Sequence, residues 1–538
     1  MAEFENYIGG KWQSAISGAT FENINPSDTG EVLGIFPRSS ADDADSAVRA
    51  AKAALTDWKS VPPTERGKIL RAAGRIMEAR KEELARVISR ENGKTVKGAL
   101  GDVQSGIDMA YYAAEEGRRW FGKTAHSGLP KRFAMTKRYP VGVVGIITSW
   151  NFPMAITCWK TFPALVCGNA VVLKSEENTP ETAVHFARIM EEAGLPPGVL
   201  NLVHGFGREA GDALVRHPGV DMISFTGSSA TGSIIGANCA ARLAKVSLEL
   251  GGKNAVVVMD DADLDLAADG IICGAFSISG QRCTATSRVI AHEAVYDALA
   301  EKLLSRTRTQ RVGSGSDDSS DITPLVSERQ MNRVIGFIDR AKAGGARILH
   351  GGERLRGGVY DKGFYIAPTI IDGVTPDMEV AREEVFGPVL VLFRATSYDS
   401  AIGILNDSEL ALSASLFTRD VNRAFSFFDD AEAGVCYINA PTFGSEPHMP
   451  FGGLKQSGLG YREAGWAAIE AFSEVKTLYV DYSARIQNVQ FAVTPLEFTV
   501  TPLSPLSEGG ILPSPPCPPS ARGDVIGGHK ASKGSNRS

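Results

Sequence analysis

The stretch VGVVGIITSWNFP, residues 141–153, sets the fold. Its β-branched, apolar half stops abruptly at Thr148 and Ser149, followed by Trp150 and Asn151. Three runs of the same texture follow: NAVVLKS (169–175), VLNLVHG (199–205) and VDMISFTG (220–227), each ending in polar or glycine residues. Helical stretches such as ETAVHFARIMEEAG (181–194) separate them. Strands alternating with helices at this spacing predict a parallel, doubly wound α/β sheet. A second series starts near residue 252 with NAVVVMDD, SRVIAH, APTIIDG and SASLFTRD, and predicts a second α/β domain. Upstream, residues 41–57 and 63–91 read as amphipathic helices, the second opening on Pro63 and ending near Asn92-Gly93. KRFAMTKRYP (131–140) and VKTLYVDY (475–482) are strand-like and stand outside both series, to pair with each other or with another subunit.

The chain has 538 residues, too many for one hydrophobic core. With 43% hydrophobic and 22% charged residues, it has the composition of an ordinary soluble enzyme. A net charge of -6 gives no electrostatic reason to expect nucleic acid or an anionic membrane as partner. Seven cysteines without a CxxC pair predict reduced thiols and no metal site. MAEFENYIGGKW carries acids and no long apolar core, so no secretory signal is expected, and no apolar run approaches the ~18–20 residues of a membrane span. These features point to the cytoplasm. Past residue 490 the chain becomes rich in Pro, Ser and Gly without a period, and 491–538 is expected to be a disordered tail.

Five stretches carry chemistry. In TSWNFP (148–153), Asn151 falls at the end of a predicted strand, where open α/β sheets bind ligands and an amide can donate to a developing oxyanion. In KSEENTP (174–180), a lysine and paired acids suit ribose hydroxyls, or a solvated turn. In SFTGSSATG (224–232), a small, donor-rich turn before a helix suits a pyrophosphate. GFGREAG (205–211) is a weaker candidate, ending in the wrong small residue, and reads as a tight strand–helix connection. In SLELGGKNA (247–255), Glu249 lies among leucines, an environment that raises a carboxyl toward use as a general base. In SISGQRCTATSR (277–288), Cys283 sits in a Gly/Ser/Thr-rich turn between Arg282 and Arg288, where a thiolate is expected to form and meet a ligand.

Each stretch alone has a structural reading; their order does not. Taken with EEVFGPV (383–389) and MPFGGLKQSGLG (449–460), the set resembles the NAD(P)-dependent aldehyde dehydrogenase superfamily over residues 5–485. The resemblance implies a Rossmann-type cofactor domain (1–120 and 141–251), an α/β catalytic domain (252–466) and a small oligomerisation β-extension (121–140 and 467–490). Cys283 is then the nucleophile, Glu249 the base for the deacylating water, and the Asn151 amide with the Cys283 N–H the oxyanion hole. Lys174 and Glu177 would hold the adenosine ribose, and Ser228 the pyrophosphate. Trp150 and Gly227 would line the cofactor path, Glu384 would hold the nicotinamide ribose, and Phe386 would pack beside it. Phe152, Trp159 and Phe451 would line the substrate tunnel. Arg282 would either aid the thiolate or meet a substrate carboxylate. Cys158 would touch the tunnel, while Cys167, Cys239, Cys273 and Cys436 would pack in the core.

The implied cofactor is NAD, with NADP possible. Glu177 and a second charge on Glu176 would disfavour a 2′-phosphate by at least about tenfold. The implied assembly is a homodimer or homotetramer. GQRCTATSR and INAPTFGSEPHMPFGG are similar to enzymes of dicarboxylic semialdehydes, including the α-ketoglutaric semialdehyde type. Oxidation of aromatic or aliphatic aldehydes, and acyl transfer to coenzyme A, remain open alternatives, although Glu249 counts against the last. The chain departs from the family by its long tail and at YREAG (461–465), a change expected to affect only local packing.

Overall fold

The computed structural model describes residues 2–487. The expected tail at 491–538 lies outside the described residues. Five parallel strands form the heart of an eight-stranded sheet: β1 (Val143–Ile147), β2 (Ala170–Lys174), β3 (Leu200–Val203), β4 (Met222–Thr226) and β5 (Lys245–Glu249). Their spatial order is β3-β2-β1-β4-β5. Antiparallel strands Asn6–Ile8 and Lys11–Gln13 extend it beyond β3, and Gly458–Leu459 beyond β5. Every residue of β1, β2 and β3 is buried, as expected of strands covered by helices on both faces. The order reverses at β1, so a crevice opens beyond the carboxyl ends of β1 and β4. Register places Ile147 opposite Lys174, Phe225 opposite Ile147, and Thr226 opposite Glu249. The chemistry-bearing loops therefore emerge from one edge.

A second sheet is also parallel apart from its edge strand Arg347–His350. Its remaining strands, in spatial order, are Thr369–Asp372, Val389–Ala395, Arg288–His292, Ala255–Val258, Ser413–Phe417 and Val435–Ile438. The two isolated strand-like segments pair with each other. Arg132–Pro140 runs antiparallel to Ser473–Asp481, from Arg132–Asp481 to Pro140–Ser473, with Thr124–His126 on the other side. A separate small unit joins residues 128–131 to residues 482–487, where the Tyr482 N–H donates to the Lys131 carbonyl and the Gln487 amide to the Pro130 carbonyl.

One helical expectation needs correction, and one helix was not foreseen. The predicted helix over 63–91 is two helices, Pro63–Ala79 and Lys81–Asn92, broken at Arg80, which leaves helical dihedrals at φ -110°, ψ 17°. The apolar spacing runs unbroken across the join through Met77, Leu84, Ala85 and Ile88, so periodicity gives no sign of it. The break lets both halves pack on a helix for which the sequence signals gave no expectation, Val96–Glu116. Its three glycines depress helix propensity. One of them serves packing: a Cβ on Gly106 would lie 3.0 Å from Cys158 Sγ and 2.9 Å from Met77 Cε.

Candidate active site

The loop after β1 is held by atoms from the helical layer. Pro153 opens helix Pro153–Val166, yet Phe152, its N-cap, makes no side-chain cap. Asp102 substitutes from a neighbouring helix, accepting from the Ala155 N–H at 2.7 Å. The Trp150 carbonyl accepts from Asn92 Nδ2 at 2.7 Å and the Asn151 carbonyl from Lys94 Nζ at 2.5 Å. The Ser149 hydroxyl donates to Asn151 Oδ1 at 2.8 Å, which leaves Asn151 Nδ2 as the amide's donor at the cavity wall.

The turn before Cys283 is fixed by unusual backbone. Ile278 and Ser279 are left-handed, at φ 52° and 54°, a costly conformation for a β-branched residue. Gly280 follows at φ 68°, where a Cβ would lie 2.1 Å from the Gly387 carbonyl. Ser279 Oγ donates to the Thr323 carbonyl at 2.6 Å and accepts from its N–H at 2.9 Å. Asn254 Nδ2 donates to the carbonyls of Cys283 and Ala285 at 2.7 and 2.9 Å, while its Oδ1 accepts from Ser413 N–H.

The expected thiolate between two cations is not what this turn makes. Arg288 is buried and donates to the carbonyls of Lys253, Ile404 and Leu405. Burial, followed by Glu384 and Glu249, pushes the Cys283 thiol up to about 12, and only the Thr284 N–H opposes them appreciably. This environment favours the protonated thiol. A side chain's neighbours in sequence do not fix its neighbours in space.

Glu249 closes β5 with its carboxyl buried and Oε2 without a hydrogen-bond partner. Burial raises its pKa well above the usual range and Glu463 adds to this, against Lys160 and Arg462. Lys160 is fully buried, ion-pairs with Glu463 and donates to Ser224 Oγ at 3.1 Å. Glu463 belongs to YREAG, so that segment reaches beyond local packing. It is held by paired backbone hydrogen bonds with Phe451 at 2.7 and 2.8 Å.

Asn151, Phe152, Trp159, Glu249, Arg282, Cys283 and Phe451 all line one cavity of about 840 Å³. Trp159 Nε1 donates to Ser105 Oγ at 2.9 Å, and its ring meets Phe451 edge-on at 6.0 Å. The Arg282 guanidinium lies 4.2 Å from the Phe443 ring centroid and 5.5 Å from that of Phe152, and Nε has no partner. Two cysteines exchange their expected places. Cys158 is buried and absent from the lining, whereas Cys273 is exposed and lines the cavity. Cys167 and Cys239 are buried and Cys436 half-buried.

The remaining predicted residues lie outside that cavity, along the carboxyl edge and its facing loops. Trp150 and Phe386 meet edge-on at 5.1 Å, with Phe386 left-handed at φ 58°. Lys174 is buried and pairs with Glu177 at 3.0 Å. Glu176 instead accepts from the Asn178 N–H at 2.7 Å, and burial with Glu177 pushes it up to about 7, so it carries less than the full second charge expected. The Gly227 N–H donates to the Glu249 carbonyl, and Ser228 caps helix Ser229–Ala241. Glu384 accepts from the Gly252 N–H at 3.1 Å, and burial pushes it up to about 7. Sequence reasoning missed Lys94, Asp102, Asn254, Lys160 and Glu463. Only Asn254, in SLELGGKNA, and Glu463, in YREAG, lay within stretches already singled out. Among the described residues no cluster of three His, Cys, Asp or Glu side chains is arranged to hold a metal, and no helix is long and apolar enough to cross a membrane.

The sequence profile of the Aldehyde dehydrogenase family matches residues 12–478. The α-ketoglutaric semialdehyde dehydrogenase of Bacillus subtilis (strain 168) is 44% identical over 475 residues, covering 88% of this chain and 97% of that one. The α-ketoglutarate semialdehyde dehydrogenase of Haloferax volcanii is 40% identical over 479 residues, covering 89% and 99%. The crystal structure of an NAD-dependent aldehyde dehydrogenase from Sinorhizobium meliloti superposes with a TM-score of 0.87 at 38% identity, over 90% of this chain and 96% of that one. Agreement of that extent, in sequence and in backbone, leaves one assignment: the chain belongs to the aldehyde dehydrogenase family.

Proposed function

We propose that this protein oxidises a semialdehyde of a dicarboxylic acid, such as α-ketoglutaric semialdehyde, to the corresponding acid with NAD. The observation that carries the substrate class is Arg282, a buried cation with an unpartnered Nε set among Phe152, Trp159, Phe443 and Phe451 in the cavity wall. A carboxylate at the far end of the aldehyde would supply the missing partner. The 40–44% identical relatives named for this substrate support the same reading.

In this mechanism Cys283 Sγ attacks the aldehyde carbon while Asn151 Nδ2 and the Cys283 N–H donate to the carbonyl oxygen. The thiol is protonated at rest, so its proton must leave as the C–S bond forms, and the free Oε2 of Glu249 supports that residue as acceptor. NAD, when bound, supplies the hydride acceptor that turns the thiohemiacetal into a thioester. Glu249 passes the thiol proton on to solvent, takes a proton from the water that attacks the thioester, and returns it to Cys283 Sγ as the C–S bond breaks and the acid leaves, with the Glu463–Lys160 pair behind it.

The chain fits NAD by its donor set: a hydroxyl-capped helix end beyond β4, the Lys174–Glu177 pair beyond β2, and Glu384 against the Gly251-Gly252 turn. Ser228 would meet the pyrophosphate, Lys174 and Glu177 the adenosine ribose, Glu384 the nicotinamide ribose, and Trp150, Gly227 and Phe386 the path between. We assign residues 1–120 and 141–251 to this cofactor domain, 252–466 to the catalytic domain, and 121–140 with 467–490 to an oligomerisation extension. Val475, Tyr479 and Val480 are exposed on the edge strand Ser473–Asp481, which supports pairing with a second copy in a homodimer or homotetramer. Sedimentation velocity finding only monomer would defeat that assignment. The six described cysteines are free, consistent with a cytoplasmic site of action.

Two kinetic experiments test the reading. Arg282→Ala lowers kcat/KM for α-ketoglutaric semialdehyde about 10²-fold, while hexanal and benzaldehyde change less than about threefold. An equal loss for all three would assign Arg282 elsewhere and leave an aromatic or aliphatic aldehyde as the substrate; a parallel set with coenzyme A tests acyl transfer. NAD is preferred over NADP by at least about tenfold in kcat/KM, equivalent to ~1.4 kcal/mol. With Glu176 only partly charged, the preference rests on Glu177, and Glu177→Ala narrows it. Equal or better use of NADP by the parent protein contradicts this.

A further inference from the structure

Lys94 and Asp102 form an ion pair whose side chains are both fully buried, at 3.1 Å. Burying two charges is expensive, and well-packed apolar residues of the same volume would stabilise a core as well or better. The pair therefore calls for an explanation beyond stability. Its geometry supplies one. Lys94 Nζ donates to the Asn151 carbonyl at 2.5 Å and lies 4.3 Å from the Phe152 ring centroid. Asp102 Oδ1 accepts from the Ala155 N–H at 2.7 Å, fixing the start of the helix that follows. One step back, Asn92 holds the Trp150 carbonyl and accepts from the Lys94 N–H at 3.3 Å. The loop from Trp150 to Ala155 is thus gripped through its backbone from residues 92–102. The side chain of Asn151 is left to point at the cavity, its Oδ1 occupied by Ser149.

We propose that Lys94, oriented by Asp102, is a positioning residue for the Asn151 amide: by holding the Asn151 carbonyl it aims Nδ2 at the substrate oxygen. A catalytic hydrogen bond misplaced by about 1 Å loses on the order of 10²-fold in rate, so a fixed backbone plane matters here. This rests on Asn151 acting as the oxyanion donor in the proposed reaction.

The test is a double-mutant cycle on the full chain, reading the pre-steady-state burst of NADH with saturating NAD and α-ketoglutaric semialdehyde, or propanal should that not react. Asn151→Ala lowers the burst rate ~10²–10³-fold. Lys94→Met lowers it at least about tenfold, with NAD affinity close to the parent and a lowered thermal midpoint, because Asp102 loses its buried partner. In the double variant the two losses collapse onto that of Asn151→Ala alone, because Lys94 acts only through the amide. Losses that multiply, or a parental burst in Lys94→Met, overturn the inference. Should Lys94→Met fail to fold, Asp102→Asn replaces it in the same cycle, with a smaller loss that must likewise vanish when Asn151 is alanine. A parental burst in Asn151→Ala defeats the oxyanion reading itself; a slow Asn151→Ala with multiplying losses defeats only the role of Lys94.

Discussion

Cys283→Ser yields a folded protein that binds NAD as the parent does and makes no measurable NADH from any aldehyde. The turn that presents residue 283 is built by the left-handed Ile278 and Ser279, by Gly280 and by Asn254 acting on backbone carbonyls, none of which depends on the sulfur. The predicted cofactor contacts lie on other loops, so NAD affinity is spared. The chemistry is not. A hydroxyl in this buried site, where burial and then Glu384 and Glu249 already push the thiol up to about 12, is far harder to ionise than the thiol it replaces. A loss on the order of 10⁴-fold or more in kcat is expected, as for deletion of other nucleophiles. NADH absorbance with an aldehyde panel, beside an NAD titration, measures both halves. Parental turnover in this variant would remove Cys283 from the mechanism, and lost NAD binding would mean that the lesion had spread.

Glu249→Gln separates the two halves of the reaction. Glutamine preserves shape but cannot accept a proton, so hydrolysis of the thioester slows by ~10²–10⁴-fold, the usual worth of a general base. The burst of NADH falls less than the steady state that follows it. A sign accompanies the magnitude. Because burial and Glu463 raise the Glu249 pKa, the parent's deacylation is weak at low pH and grows as pH rises and the carboxyl ionises. In the glutamine variant that rise is absent. Rapid-mixing kinetics across a pH series reads it, and equal losses in burst and steady state would show that Glu249 does not act chiefly on water.

The parallel sheet was legible because buried strands leave a signature that needs no partner: short β-branched runs, each stopping at a polar or glycine residue. VGVVGII, NAVVLKS and VDMISFTG became β1, β2 and β4, and their ends carried Asn151, Lys174 and Gly227 to one edge. The break at Arg80 was hidden because both halves bury the same helical phase. Helix Val96–Glu116 was hidden because its three glycines lower helix propensity, while the close packing that one of them, Gly106, permits is absent from the local sequence. Cys158 and Cys273 exchanged roles for a related reason, since local polarity does not tell which face of a helix meets a cavity.

What the sequence determined by itself was the sheet and the residues that its strand ends bring to one edge, since residue type and strand ends are local properties. Glu249 among leucines was already recognisable as a carboxyl whose charge would be disfavoured, because strand and burial were both readable there. What only the tertiary structure decided was the electrostatic state of the site. Arg288, five positions from Cys283 in strand Arg288–His292, turns to backbone carbonyls, whereas Glu384, about a hundred residues away, bears on the thiol. Glu463 and Lys160 reach Glu249, and Lys94 reaches Asn151, across comparable separations. Electrostatic energy depends on distance and burial in three dimensions, and chain separation carries almost none of that information.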